Sequence, residues 1–315
     1  MISKTATLGL TALLTAGTAF AQAPAPAPST PQPFKAGTPL GSTNEAGQAV
    51  PMSSNVKVYG SFHFAESCTF DPARNVIVAM NAGNPQNVAQ NDGFVSLINP
   101  DGSVHTSKWI GATRDGLTLN HPLGSAIQGS TLYTVDGDTI RTFDLASGEP
   151  KRAIPVTGAT LLNGIAVAAD GTIYASNTRA PERLFKVLPD GTSSVLVDGA
   201  PLALPNGVAI DPQGNIVVVN INTNDVLTFS PAGQLVRTEK AAEGGNDGVV
   251  ILKDGTKYTS SVRFGSVSRI RPGQQAEVIA RGIPSAASMC YDSRQNQLVI
   301  PLNPNNALAF IKLGQ

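Results

Sequence analysis

The sequence predicts an all-β fold: a six-bladed β-propeller with four-stranded blades, closed by an N-terminal strand that completes the last blade. The main observation is one pattern that occurs three times: a polar residue, a glycine, a short apolar run, a turn and a second strand-like run. Its copies begin at Asn163, Asn206 and Asp247, which are spaced by 43 and 41 residues. A period of about 40–45 residues with strands in each unit is typical of propellers. Nothing after residue 50 has the pattern of a long amphipathic helix.

The same pattern extends in both directions to six copies, and we call the residue just before the glycine position the leader of each copy. The leaders are Glu66, Leu123, Asn163, Asn206, Asp247 and Ala287. They are spaced by 57, 40, 43, 41 and 40 residues, so the first unit contains an insertion. Six units of similar length predict six blades.

The runs inside each unit are typical of short strands. Residues 216–219 are all apolar, as expected of a strand covered on both faces, whereas residues 139–145 alternate between polar and apolar side chains. Asp-Gly pairs mark the turns between such runs, so we expect four strands in each unit. The last unit is one strand short. We therefore expect the unassigned run at 55–60 to complete the sixth blade, which removes the free edges of the ring.

The N-terminal region differs in composition from the repeats. Residues 1–21 have the features of a secretory signal peptide, with Lys4 ahead of an apolar stretch at 8–20 and a small-residue cleavage site at its end. The stretch is too short for a membrane anchor, so we expect export to the bacterial periplasm or the medium, with no membrane insertion after cleavage. Residues 22–54 predict an Ala/Pro-rich linker and lead-in that is largely disordered. Residues 55–315 remain for one propeller, for which a monomer is assumed.

Composition excludes several classes of function. The chain has 22 Lys and Arg against 22 Asp and Glu, and only 14% of its residues are charged. A nucleic-acid-binding protein needs a basic surface, so no nucleic-acid partner is expected. The sequence has no G-x-S-x-G nucleophile motif, no phosphate-binding loop, no dinucleotide motif and no Cys/His zinc spacing.

Two cysteines, Cys68 and Cys290, lie on the predicted inner strands of the first and last units. These units are neighbours in a closed ring, and an exported protein can form disulfides. A bridge across the closure is therefore allowed, while the alternative is a pair of buried free thiols that pack as small hydrophobic side chains.

The leaders carry the functional hypothesis. Because each begins the innermost strand of its blade, we expect all six in one ring at one mouth of the central channel. Four have oxygen ligands, namely Glu66, Asn163, Asn206 and Asp247. Oxygen ligands without His or Cys favour Ca²⁺ over Zn²⁺. The alternative is that Asn-Gly and Asp-Gly are simply turn formers.

The motifs Glu66-Ser67, Leu162-Asn163-Gly164, Pro205-Asn206-Gly207 and Asp247-Gly248, in this order, resemble the gluconolactonase/regucalcin/luciferin-regenerating-enzyme family, six-bladed propellers related to paraoxonases. Cys68 stands where that family often has proline, which indicates a divergent member. The resemblance implies one divalent cation, often Ca²⁺, and hydrolysis of lactones or esters. It also implies Glu66, Asn206 and Asp247 as metal ligands, Asn163 as a further ligand or substrate contact, and Asp247 as the candidate base.

We therefore expect an exported metal-dependent hydrolase of small-molecule lactones or esters, with the cation polarising the carbonyl. His121, two residues before a leader, and His63 are alternative bases near the same mouth. Two other hypotheses stay open. One is a non-catalytic propeller that binds a ligand or partner around a structural cation. The other is a lyase that uses the same metal-binding face.

Overall fold

The computed structural model describes residues 41–60, 62–111 and 116–314, and this part of the chain is all β. It forms six four-stranded antiparallel sheets and one two-stranded hairpin, and it contains no α-helix. The predicted fold class, a six-bladed propeller, is confirmed. No helix in this part of the chain has the length and apolar character needed to cross a membrane.

The strands are numbered in chain order. The hairpin consists of β1 (Gly41–Thr43) and β2 (Ala49–Pro51), and β3 (Val56–Gly60) follows it. Blade one consists of β4 (Ala65–Asp71), β5 (Val76–Asn81), β6 (Phe94–Ile98) and β7 (Val104–Ile110). Blade two consists of β8 (Pro122–Gln128), β9 (Thr131–Asp136), β10 (Thr139–Asp144) and β11 (Pro150–Pro155). Blade three consists of β12 (Leu162–Val167), β13 (Ile173–Asn177), β14 (Arg183–Val187) and β15 (Ser193–Asp198).

Blade four consists of β16 (Pro205–Ile210), β17 (Ile216–Asn220), β18 (Asp225–Phe229) and β19 (Leu235–Lys240). Blade five consists of β20 (Asn246–Ile251), β21 (Lys257–Ser261), β22 (Ser266–Ile270) and β23 (Glu277–Ala280). Blade six consists of β24 (Cys290–Asp292), β25 (Gln297–Leu302) and β26 (Ala307–Lys312), with β3 as its outer strand. Lys57 of β3 lies opposite Phe310 of β26. The N-terminal strand therefore closes the ring, as predicted.

The apolar core lies between neighbouring blades. Ile140 of blade two packs in one buried cluster with Phe185 of blade three. Tyr174 of blade three likewise packs with Phe229 of blade four. Because each blade is covered on both faces, five of the six second strands, β5, β13, β17, β21 and β25, are buried at every residue.

The leaders occupy bulges in the inner strands. In blade three the pairing passes from Leu162–Asn177 to Ile165–Ala175, so Asn163 and Gly164 have no partner in the ladder. The register shifts in the same way in blades two, four and five, and a shorter shift passes over Glu66 in blade one. A bulge redirects the side chain of the extra residue, which here lies next to the channel.

The glycine after the leader is required by close packing between blades. A Cβ atom on Gly164 would lie 2.1 Å from the carbonyl oxygen of Asn206, and one on Gly207 would lie 2.5 Å from the carbonyl oxygen of Asp247. None of the glycines at this position has a positive φ. The alternative interpretation of these Asn-Gly and Asp-Gly pairs as turns is therefore wrong, since they lie within strands whose backbones touch around the channel.

A disulfide joins the first and last blades. Cys68 of β4 and Cys290 of β24 are bonded, with their Cα atoms 5.4 Å apart. Beside them, Ser67 and Ser288 form a parallel bridge between the two inner strands. Of the two alternatives for the cysteines, the structure has the bridge.

The lead-in to the propeller differs from the prediction of a largely disordered segment over 22–54. Within its described part, 41–54, the chain forms the β1–β2 hairpin and packs against loops beside blade five. The Ser42 hydroxyl donates to the Phe264 carbonyl at 2.8 Å, and the Ser53 amide donates to the Arg281 carbonyl at 2.9 Å. Hydrogen bonds to distant loops order this segment, and composition does not indicate them. The predicted signal peptide, 1–21, and the linker up to residue 40 lie outside the described residues.

Candidate metal centre

The leaders come together at one mouth of the channel. Five of them are the second residue of an inner strand, and Ala287 precedes β24. All six are buried, including the two carboxyl groups of Glu66 and Asp247. Leu123 and Ala287 contribute only apolar side chains, so the oxygen ligands occupy four of the six sectors.

In five of the six blades the incoming loop is held by a buried polar residue at the end of the second strand. The Asn177 side-chain oxygen, Oδ1, accepts the backbone amides of Thr160 and Leu161 at 2.8 and 2.9 Å, just before the leader Asn163. The corresponding residues in the other blades, all bonded to the backbone of the incoming loop, are Asn81, Asp136, Asn220 and Ser261. This second repeat was not predicted; its signal in the sequence is a polar residue that ends the second strand in five of the six units.

Serine hydroxyls fix the leaders of neighbouring blades to each other. Ser176 accepts the Gly164 amide at 2.8 Å and donates to the Asn206 carbonyl at 2.5 Å. Ser260 repeats the arrangement between Gly248 and Ala287, at 2.9 and 2.7 Å. The backbone at the leader positions is therefore fixed from both sides, which preorganises the side chains that face the channel.

The two carboxyl groups are buried close to each other. Burial raises the pKa of Glu66 well above its ordinary value, and the neighbouring Asp247 carboxylate raises it further. Burial raises the pKa of Asp247 to about 7, although a hydrogen bond from the Ser288 hydroxyl, at 3.1 Å, opposes the shift. Among the described residues no Lys, Arg or His forms an ion pair with either group. The negative charge of this pair is therefore not balanced by those side chains.

Three asparagine amides lie at the same mouth. The Asn206 amide nitrogen donates to Asp247 Oδ2 at 3.3 Å, and the Asn303 amide nitrogen donates to Glu66 Oε2. The side-chain oxygens of Asn163, Asn206 and Asn303 are buried, and no described group donates a hydrogen bond to them. Each such unsatisfied oxygen costs about 1–3 kcal/mol. Asn303, just past β25, was not predicted because it does not occupy a leader position.

This donor set fits a hard divalent cation. Two carboxylates balance the charge of the ion, and amide oxygens add ligands without adding charge. Ca²⁺ takes 6–8 oxygen ligands, so positions remain for water or a substrate. No cluster of three His, Cys, Asp or Glu side chains exists in the described ranges, so the fit depends on the amides and excludes a typical zinc site.

His121 lies at the edge of the mouth, between blades one and two. Its Nδ1 is 2.6 Å from the Ala82 carbonyl oxygen, which can only accept, so Nδ1 carries a proton and the neutral form of the ring has its lone pair on Nε2. The His121 backbone amide donates to Asp136 at 2.7 Å, which fixes the backbone at this residue. His63, the other histidine near this mouth, is exposed.

Below the leaders the channel narrows to a polar cavity of about 70 Å³. Its wall is mainly backbone and small side chains, including Ser67, Gly124, Gly164 and Gly207. Such a space holds a few water molecules, so a larger substrate has to approach from the mouth side.

Comparison with known proteins gives weak sequence similarity and clear structural similarity. No family model matches the chain. A stretch of 133 residues, 40% of the chain, is 28% identical to part of actin-interacting protein 1 from Caenorhabditis elegans. The chain matches only 20% of the length of that protein, so this similarity does not transfer an activity.

Among solved structures, a gluconolactonase from Xanthomonas campestris has a TM-score of 0.62 at 20% identity, covering 91% of this chain and 99% of its own. A putative gluconolactonase has a TM-score of 0.61 at 16% identity, covering 87% and 97%. Virginiamycin B lyase from Staphylococcus aureus has a TM-score of 0.57 at 10% identity, covering 82% and 99%. The predicted resemblance is confirmed at the level of fold: the chain is a six-bladed propeller that shares its fold with the solved gluconolactonases and is divergent from them in sequence.

Proposed function

We propose that this protein is an exported, Ca²⁺-dependent hydrolase of small-molecule lactones or esters. The observation that carries the proposal is the pair of buried carboxyl groups, Glu66 and Asp247, surrounded by amide oxygens that lack donors. The fold is shared with a solved gluconolactonase, and residues 1–21 support export.

In this proposal Glu66, Asn163, Asn206 and Asp247 hold the ion. When bound, Ca²⁺ supplies a Lewis acid that polarises a carbonyl and stabilises the oxyanion formed from it. The apolar leader Leu123 contributes no oxygen ligand, so water and substrate reach the site from that sector.

Two residues are candidates for the base that takes a proton from the attacking water. Asp247 lies at the site, and it is oriented by the Ser288 hydroxyl, which donates to Oδ1, and by the Asn206 amide, which donates to Oδ2. A carboxylate bound to a metal is a weak base, however, because the ion lowers its pKa. His121 has a free Nε2 lone pair and a fixed ring, and it is the alternative base.

The test is a panel of lactones and aryl esters assayed with Ca²⁺ and with a chelator, on wild type, Glu66→Gln and Asp247→Asn. Asp170→Asn, a variant in an exposed turn, is the control. We expect turnover that the chelator abolishes, a loss of at least about 100-fold in both site variants, and no loss in the control. A His121→Gln variant that retains Ca²⁺ binding but loses turnover would assign the base to His121.

Two outcomes favour the other hypotheses. If none of the tested compounds is turned over but Ca²⁺ raises the melting temperature, the result supports a non-catalytic binding propeller with a structural cation. The likeness to virginiamycin B lyase makes elimination the second candidate reaction, with virginiamycin B as the probe. Mass spectrometry separates the two reactions, because hydrolysis adds one water to the product and elimination adds none.

A further inference from the structure

We infer that Asn303, contributed by the last blade, is a further ligand of the ion and also holds Glu66 in place for it. The inference rests on the metal site of the proposed function and extends it to a residue outside the leader positions. It makes the coordination shell span the closure of the ring, with Glu66 from the first blade and Asn303 from the last.

The position of Asn303 complements the apolar leader of its own blade. Ala287 is the leader of blade six, between Asp247 of blade five and Glu66 of blade one, and it has no oxygen ligand in its side chain. Ala286 forms an antiparallel bridge with Leu302, and the Ala287 amide donates to the Pro301 carbonyl, so Asn303 lies opposite Ser285, two residues before the leader. Its amide reaches Glu66, where it supplies the oxygen that Ala287 lacks.

The hydrogen bonds fix which way the amide points. Its nitrogen donates to Glu66 Oε2. With Glu66 ionised, as binding of a cation requires, the reverse orientation would place two acceptors against each other, a repulsive contact. The Asn303 oxygen is bonded to the same carbon as this nitrogen, so it lies close to the Glu66 carboxylate. It is buried, and no described group donates to it. The Asn303 oxygen and the Glu66 carboxylate are therefore neighbouring oxygen atoms with no donor between them, an arrangement that suits a bound cation.

Packing of the blade does not account for this amide. The corresponding residues of the other blades are Ala82, Gly137, Thr178, Ile221 and Val262. Only Thr178 among them has a polar side chain, and its hydroxyl donates to the backbone carbonyl of Pro205 at 2.7 Å. Among the described residues, the Asn303 side chain donates to the Glu66 carboxyl group and not to a backbone carbonyl. Thr178 thus has a structural bond to the backbone, whereas Asn303 is bonded to a proposed ligand.

The experiment is calorimetric titration of the chelator-treated full chain with Ca²⁺ alone, at pH 8. Asn303→Ala removes both amide atoms, whereas Asn303→Asp keeps an oxygen and removes the donor. We expect Asn303→Ala to weaken Ca²⁺ binding by about 10–100-fold, and Asn303→Asp to bind at least as tightly as wild type. Thr178→Val, which removes an equally buried polar group at the same position of blade three, should leave the affinity within about twofold.

The outcomes separate the inference from the proposed function. If wild type itself binds no Ca²⁺, the metal site of the proposed function fails, and the inference fails with it. If Glu66→Gln abolishes binding but Asn303→Ala does not weaken it, the inference alone is overturned. If Asn303→Asp binds as weakly as Asn303→Ala, the ligand role is wrong, because then the amide donor is what matters. Should Asn303→Ala not fold, Asn303→Ser takes its place with the same expected loss.

Discussion

The dipeptide Asp-Gly occurs in this protein in two environments that have opposite properties. At Asp170-Gly171, in an exposed turn of blade three, the glycine has a φ of +86° and the Asp170 carboxylate accepts the Thr172 backbone amide at 2.9 Å. That hydrogen bond lowers the pKa of Asp170. At Asp247-Gly248 the glycine lies in a strand, and burial raises the pKa of the carboxyl group to about 7.

The difference shows that position in the repeat, and not the local pair of residues, decides what an Asp-Gly does. The turn aspartate is satisfied by its own chain within two residues. The channel aspartate depends on Ser288 and Asn206, which come from the two neighbouring blades, and its charge is left for a cation to balance. The predictions below test this contrast between the inner ring and the turns.

The largest effect should come from the glycines. A methyl group at Gly164 would lie 2.1 Å from a backbone oxygen of the next blade, whereas the nearest atom to one at Gly171 is a proline side chain at 3.5 Å. We expect Gly164→Ala to cost at least about 3 kcal/mol, because two backbones have to separate. Gly171→Ala should cost about 1–2 kcal/mol, from its left-handed backbone alone. Urea unfolding of both variants measures this, and equal losses would contradict the contrast.

The second effect tests the covalent link in the inner ring. The bond between Cys68 and Cys290 closes a loop with a sequence separation of 222 residues. Replacing both residues with alanine should lower the free energy of unfolding by about 2–5 kcal/mol. The measurement is urea unfolding of the double variant beside wild type with and without reductant. A double variant as stable as oxidised wild type would show that the strand pairing of β3 with β26 is sufficient to close the ring.

The repeat made the architecture and four of the site residues predictable. Glu66, Asn163, Asn206 and Asp247 are visible in the sequence because they recur at one position of a regular unit. Because they occupy the same position in each repeat, the symmetry of the propeller brings them together at one mouth of the channel. The closing strand was predictable for a related reason: the last unit lacked one strand and the chain had one strand to spare.

What the sequence did not reveal depends on contacts between distant segments. Asn303 is followed by Pro304 and two further asparagines, so it has the composition of a turn, and only the folded ring brings it to Glu66. The β1–β2 hairpin consists of two three-residue strands, too short to show alternation. The role of the leader glycines was also not predictable, because an Asn-Gly pair has the same sequence in a turn as at a position where two backbones pack closely together.

A third effect separates the two environments by pH. Burial raises the pKa values of Glu66 and Asp247 in the folded state, that of Asp247 to about 7. Above the unfolded values near 4 the folded protein therefore binds more protons than the unfolded chain, and stability falls as pH rises. The metal-free protein should therefore lose on the order of 2 kcal/mol of stability between pH 5 and pH 8.

The turn aspartates have lowered pKa values, so their contribution is already complete above the unfolded value near 4 and stays constant in this window. Thermal melts in chelator measure the loss. We expect saturating Ca²⁺ to remove most of it, since the ion binds the ionised carboxylates more tightly at higher pH. If the melting temperature in chelator does not change with pH, the pKa values of Glu66 and Asp247 are not raised in the folded protein.

The smallest effect comes from exchanging one carboxylate for an amide in each environment. In metal-free protein at pH 8, Asp247→Asn removes a buried charge, so we expect its melting temperature to rise by about 2–4 °C for each kcal/mol of relieved repulsion. Asp170→Asn should leave the melting temperature unchanged, because an amide oxygen still accepts the Thr172 backbone N–H. With Ca²⁺ the order should reverse: wild type and Asp170→Asn gain stability through binding, and Asp247→Asn does not. If Asp247→Asn gains as much from Ca²⁺ as wild type does, this aspartate is not a ligand, and its burial must have a cause other than metal binding.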